Sequence, residues 1–127
     1  MSVWLIKQKG LVMSIQKFDS DETLSEIAIY NGVVYLAGQV PDDDSLDIVY
    51  QSKQVFANID KALAKAGTDK SKLLTAQVFI KNLDDFDGFN TAWQDWVAGI
   101  TPPTRATVQA NLVNPNWLIE IVVTAGL

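Results

Sequence analysis

The sequence predicts an α+β fold: a mixed β-sheet with two helices packed on one face, in a single domain. Three observations lead there. Of 127 residues, 48% are hydrophobic and 20% charged, with only four prolines, which is the profile of a folded chain rather than a disordered one. Short segments alternate apolar and polar side chains with the period of a strand, while two longer ones repeat at helical spacing. Turn-forming residues stand between them. A chain of this length buries about two thirds of the surface it would expose when unfolded, enough for one core and too little for two domains.

Ser14 to Phe18 and Glu26 to Tyr30 alternate, and Asn31-Gly32 then supplies a two-residue hairpin turn before the run Val33 to Val40. After Pro41 and the acidic triplet Asp42-Asp43-Asp44, residues Ile48, Ser52, Val55, Ile59, Leu63 and Ala66 recur at helical spacing until Gly67. The first helix is therefore expected over Ser45 to Ala66. Leu73 to Lys81 reads as the next strand, with Ala76, Val78 and Ile80 on one face. Asn82 or Asp84 can cap a second helix whose stripe is Phe86, Phe89, Trp93, Trp96 and Val97, and these aromatic residues read as core. Arg105 to Leu112 and Trp117 to Thr124 close the chain on either side of the turn Asn114-Pro115-Asn116. The order is β-β-β-α-β-α-β-β. Strands joined through a helix should run parallel, and the early hairpin antiparallel. The last strand carries Ile119, Ile121 and Val123 on one face and Leu118 and Val122 on the other, so a sheet covered on one side only predicts self-association.

The domain is expected over residues 13–127, with Met13-Ser14 read as a start and residues 1–12 as an upstream extension. In that extension Lys7 and Lys9 follow a very short apolar patch, the wrong order for a signal peptide. The longest apolar runs are of strand length, far short of the ~20 residues that span a bilayer, so no membrane anchor is expected. The chain has no cysteine and no histidine. That excludes disulfides, thiolate nucleophiles, Ser-His-Asp arrangements and imidazole metal sites, and it fits a cytoplasmic protein. Asp42-Asp43-Asp44 offers a carboxylate-only site for a hard cation such as Mg²⁺, and reads instead as a solvated loop leading into a helix.

Arg105 is the sole arginine, and beyond Asp95 the only charged side chains are Arg105 and Glu120. Both lie in β-branched, apolar stretches. A guanidinium is planar, permanently charged and forked, matching a carboxylate with two parallel hydrogen bonds, so Arg105 is the candidate anion clamp. The alternative is an ordinary ion pair or a solvated edge-strand arginine. Period two sets Arg105, Thr107 and Gln109 on one face and Ala106, Val108 and Ala110 on the other. The polar face is expected to point away from the helix-packed core, toward a subunit boundary. Glu120 could there either neutralise Arg105 or position a water.

Several dispersed segments resemble the Rid (YjgF) family of enamine/imine deaminases. They are Tyr35-Leu36-Ala37-Gly38-Gln39-Val40-Pro41, the run Val78 to Phe86 leading to Asn90, and Pro103-Thr104-Arg105 followed by Ile119-Glu120-Ile121. The resemblance covers most of the chain from Met13 to Ala125. It implies a chorismate-mutase-like subunit, a homotrimer whose sheets form an inner barrel, and ligand clefts between subunits. It further implies that Arg105 grips a substrate carboxylate, that Glu120 lies near the attacking water, and that Gly38 lines the cleft. The sequence departs from the family's deaminases at Leu24, where a tyrosine is expected, at Ala37, where serine is common, and at Thr107, where cysteine is common. These departures resemble a side branch of the family.

The implied chemistry is hydrolysis of a reactive 2-iminoacid to a 2-ketoacid and ammonia. It needs positioning and polarisation and no cofactor. A second reading is a non-catalytic module that binds ketoacids or other small carboxylates through the same arginine. A third is an endoribonuclease or translation inhibitor. A net charge of -5 and a pI of about 4.5 argue against nucleic acid as a partner, because affinity for phosphate backbones comes from many lysines and arginines. Lys61, Lys65, Lys70 and Lys72 cluster near the end of the first helix, where they read as a solvated face.

Overall fold

The computed structural model describes residues 14–127. The reading of residues 1–12, Trp4 included, lies outside that range. Six strands form one sheet: β1 (Gln16–Ser20), β2 (Ser25–Tyr30), β3 (Val33–Leu36), β4 (Leu73–Ile80), β5 (Thr104–Gln109) and β6 (Ile119–Gly126). Two helices, α1 (Ile48–Ala66) and α2 (Phe86–Trp96), follow β3 and β4. The strand order across the sheet is β1-β2-β3-β6-β4-β5.

The hairpin turn is where the sequence places it. Asn31 and Gly32 both have positive φ, 52° and 79°, the backbone of a two-residue turn that matches the twist of its strands. Only β4 and β5 are adjacent and parallel; β6 lies antiparallel to both β3 and β4 and separates them. β3 and β4, joined through α1, are thus parallel without touching.

Helix α1 begins at Ile48 rather than Ser45 because Asp47 is its cap, its carboxylate accepting from the Tyr50 N–H at 3.0 Å. Ser45 is instead bonded to Asp43 through both its N–H and its hydroxyl. Gly67, at φ 86°, ends the helix by donating to the carbonyls of Leu63 and Ala64. A short 3-10 turn, Leu83–Asp85, precedes α2.

Both helices pack on one face. Ile27, Ile29, Val34, Val78, Ile119 and Ile121 are buried from the sheet, against Val55, Ile59, Leu63, Phe89 and Trp93 from the helices. Phe56 stacks on Trp96 with ring centroids 4.6 Å apart, and the indole N–H of Trp96 donates to the Asp60 carboxylate.

The last two strands differ from the expected ranges. β5 stops at Gln109 and β6 starts at Ile119, leaving 110–118 as a loop. Gln51, fully buried on α1, pins that loop: its amide donates to the carbonyls of Leu46 and Asn116, and its carbonyl accepts from the Leu118 N–H at 2.8 Å. Such a satisfied buried amide fixes the loop to the helix just ahead of β6. Among the described residues nothing covers the opposite sheet face, and Tyr35 and Val108 are 47% and 46% exposed there.

Candidate functional site

Arg105 does not point where its strand pattern suggested. It pairs with Ala76 in the parallel β4–β5 ladder, and Ala76 faces the helices. The Arg105 side chain therefore lies on the helix-bearing face, correcting the expectation that this polar face turns away from the helices. Its guanidinium carbon stands 5.8, 5.4 and 5.1 Å from the ring centroids of Phe86, Phe89 and Trp93. Aromatic faces attract a cation and hold a planar guanidinium flat. One Nη atom donates to Asn90 Oδ1 at 2.8 Å. Since β5 is an edge strand, the arginine can rest on α2 at the rim of the core rather than within it.

No carboxylate neutralises Arg105: among the described residues the one ion pair joins Lys65 to Asp19. Burial pushes the guanidinium pKa down, which marks a cation partly stripped of water and lacking a compensating charge. Thr107 lies two residues along on the same face, and its hydroxyl is buried without a hydrogen-bond partner.

Glu120 pairs with Phe79 between the buried Ile119 and Ile121, which sets it on the open face of the sheet. It cannot neutralise Arg105 of its own chain. The two Cα atoms are two strands and three residue steps apart, on the order of 14 Å, with side chains on opposite faces. Burial raises the Glu120 carboxyl pKa above its ordinary value. The carboxylate borders a hollow of about 240 Å³ lined by Phe79, Ala110, Asn111, Leu112 and Val113. Gly38 lies against it, close enough that any Cβ there would meet the Glu120 carboxylate.

Ala37 is next to Gly38, its N–H donating to the Glu26 carbonyl at 2.9 Å. Leu24 is in the β1–β2 turn at the same end of the sheet, 47% exposed, with its N–H on the Asp21 carboxylate. The six sequence candidates thus form two groups. Arg105 and Thr107 share the helix face, while Glu120, Gly38, Ala37 and Leu24 gather at one end of β2, β3 and β6. The acidic triplet does not converge: Asp42 accepts from Asn58, Asp43 from Ser45 and Asp44 from Asn114.

By sequence Phe86, Phe89 and Trp93 belong to the core stripe of the second helix, and Asn90 carries no sign of a contact. Their helical spacing shows that they share a stripe, and nothing local shows that an edge-strand arginine lies across it.

The model of the family described as Endoribonuclease L-PSP matches residues 14–127. A RutC family protein of Haemophilus ducreyi is 50% identical over 113 residues, covering 89% of this chain and 97% of the relative. The RutC family protein YoaB of Escherichia coli is 36% identical, covering 91% of this chain and 100% of YoaB. Among solved structures, NMB1025 of Neisseria meningitidis, a member of the YjgF protein family, superposes with a TM-score of 0.86 at 36% identity, covering 90% of this chain and 95% of its own. YyfA of Yersinia pestis, from the Rid protein family, does so with a TM-score of 0.83 at 30% identity, covering 90% and 100%. With the fold, the order of its motifs and these relatives in agreement, the chain belongs to the YjgF/Rid family.

Proposed function

We propose that this protein is a cytoplasmic hydrolase that deaminates reactive 2-imino and enamine acids to 2-ketoacids and ammonia. The observation that carries the reading is Arg105: the sole arginine, laid on an aromatic tray, oriented by one neutral acceptor and paired with no carboxylate among the described residues. Such a cation has donors left for a small carboxylate and lies in surroundings where a charge-assisted bond is strong.

One chain cannot bring Arg105 and Glu120 to the same small acid, because they occupy opposite sheet faces. The site is therefore read as composite, with Arg105 from one subunit and Glu120 and Gly38 from a neighbour in a homotrimer. The uncovered sheet face, with Tyr35 and Val108 half exposed, supports self-association.

In the reaction, Arg105 holds the substrate carboxylate and Glu120 accepts a proton from a water whose oxygen adds to the imine carbon. The resulting carbinolamine takes a proton on nitrogen, the C–N bond breaks, and ammonia leaves as the carbonyl forms. Imine and water are consumed; ketoacid and ammonia are produced. Positioning and a prearranged charge account for the acceleration, since the imine carbon is already electrophilic.

The test couples an amino-acid oxidase, generating 2-iminobutanoate, to ammonia release with wild-type protein and Arg105→Ala. Faster release by wild type alone is expected. Equal rates with and without wild-type protein would end the deaminase reading and leave carboxylate binding to be measured directly.

A further inference from the structure

The segment carrying Gly38 is a β-bulge. β3 and β6 pair at Tyr35↔Thr124, and the next bridge between the two segments is Gln39↔Ile121. The first side advances four residues while the second advances three, so Leu36-Ala37-Gly38 holds one residue too many for the ladder. Bulges re-aim side chains, and this one is well tied. The Gln39 N–H donates to the Ile121 carbonyl at 2.8 Å, the Ile121 N–H returns to the Gln39 carbonyl at 3.0 Å, and the Gln39 side chain folds back onto the Ala37 carbonyl at 2.9 Å.

Glu120 lies directly on this bulge. An added Cβ at residue 38 would overlap Oε2 of Glu120 and stand 3.0 Å from its Cδ. Backbone conformation does not demand glycine there, because the positive-φ glycines are Gly32, Gly67 and Gly99. Space does. On its other side the carboxylate meets the hollow of Phe79 and the 110–113 loop, whose lining holds no other charged side chain.

We propose that Gly38 is a positioning residue for Glu120: the bulge, bare of any side chain at 38, is the seat that holds the carboxylate against the sheet and aims it at the hollow. The proposal rests on the reading of Glu120 as the carboxylate that places water. It assigns to the absent side chain a role separate from lining the ligand cleft. A methyl group at 38 would drive the carboxylate off its seat: the bulge is tied to the ladder and stays in place, so the flexible Glu120 side chain is the part that swings away.

The test is a double-mutant cycle read by thermal unfolding, which needs no turnover. Gly38→Ala is expected to lower the melting temperature by about 2 °C in the wild-type background, the modest cost of turning a flexible carboxylate side chain away, and to cause no such loss in Glu120→Ala. Equal losses in both backgrounds would overturn the proposal, because the penalty would then not come from Glu120. Where the deaminase assay registers turnover, Gly38→Ala should lower kcat about tenfold or more with KM nearly unchanged, the pattern of a displaced reacting group rather than a weakened binding site. A raised KM with unchanged kcat would instead make Gly38 a wall of the carboxylate pocket and overturn the positioning role. If wild type shows no turnover, the deaminase reading fails by itself and the thermal cycle still decides this inference.

Discussion

Arg105 donates to Asn90 Oδ1 at 2.8 Å, a link from the edge strand β5 to the middle of α2. The acceptor is neutral, so it orients the guanidinium without cancelling its charge. Hydrogen bonds to charged groups are worth about 1.5–3 kcal/mol, so Asn90→Ala is expected to weaken 2-ketobutyrate binding about tenfold by titration calorimetry. Asn90→Asp should weaken it more, since a fixed carboxylate would compete with the ligand for Arg105. Unchanged affinity in both variants would show that Asn90 has no part in orienting the clamp.

Trp93 reports on the same clamp. Its ring centroid is 5.1 Å from the Arg105 guanidinium carbon, so a carboxylate arriving there alters the charge beside the indole. A saturable change in tryptophan emission on adding a small ketoacid is expected in wild type, persisting in Trp96→Phe and lost in Arg105→Ala. A signal that survives Arg105→Ala would place the ligand elsewhere.

Glu120 makes stability depend on pH with a definite sign. Its carboxyl pKa is raised in the folded protein by burial, so the folded state holds that proton more tightly than the unfolded chain does. Stability from this group therefore falls as pH rises from the ordinary carboxyl value of 4.5 through the folded value, and the penalty is complete above it. Glu120→Gln should raise the melting temperature at neutral pH and lose that advantage below about pH 4. Calorimetry at the two pH values checks this; an equal change at both would mean that ionisation is not involved.

The uncovered face of the sheet gives a fourth expectation. Val108 and Tyr35 are half-exposed apolar positions far apart on it, so Val108→Glu or Tyr35→Glu should lower the mass seen by sedimentation while the far-ultraviolet circular dichroism stays native. A wild-type protein that sediments as a monomer would remove the composite site.

Local patterning in the chain determined the element order, the Asn31-Gly32 hairpin, the Gly67 helix end, the two apolar helix stripes and the motifs that mark the family. Each of these depends on neighbours a few residues apart, through side-chain alternation, helical periodicity or turn geometry. The same alternation correctly put Arg105 with Thr107 on one face of their strand, yet it could not say which face the helices would cover. That was decided by the parallel register setting Arg105 beside Ala76 and by α2 bringing Asn90 and its aromatic stripe beneath the edge strand. The separation of Arg105 from Glu120, the insertion of β6 between β3 and β4, and the contact of Gly38 with Glu120 likewise arise from pairings between residues distant in the chain, where no short-range pattern carries the information.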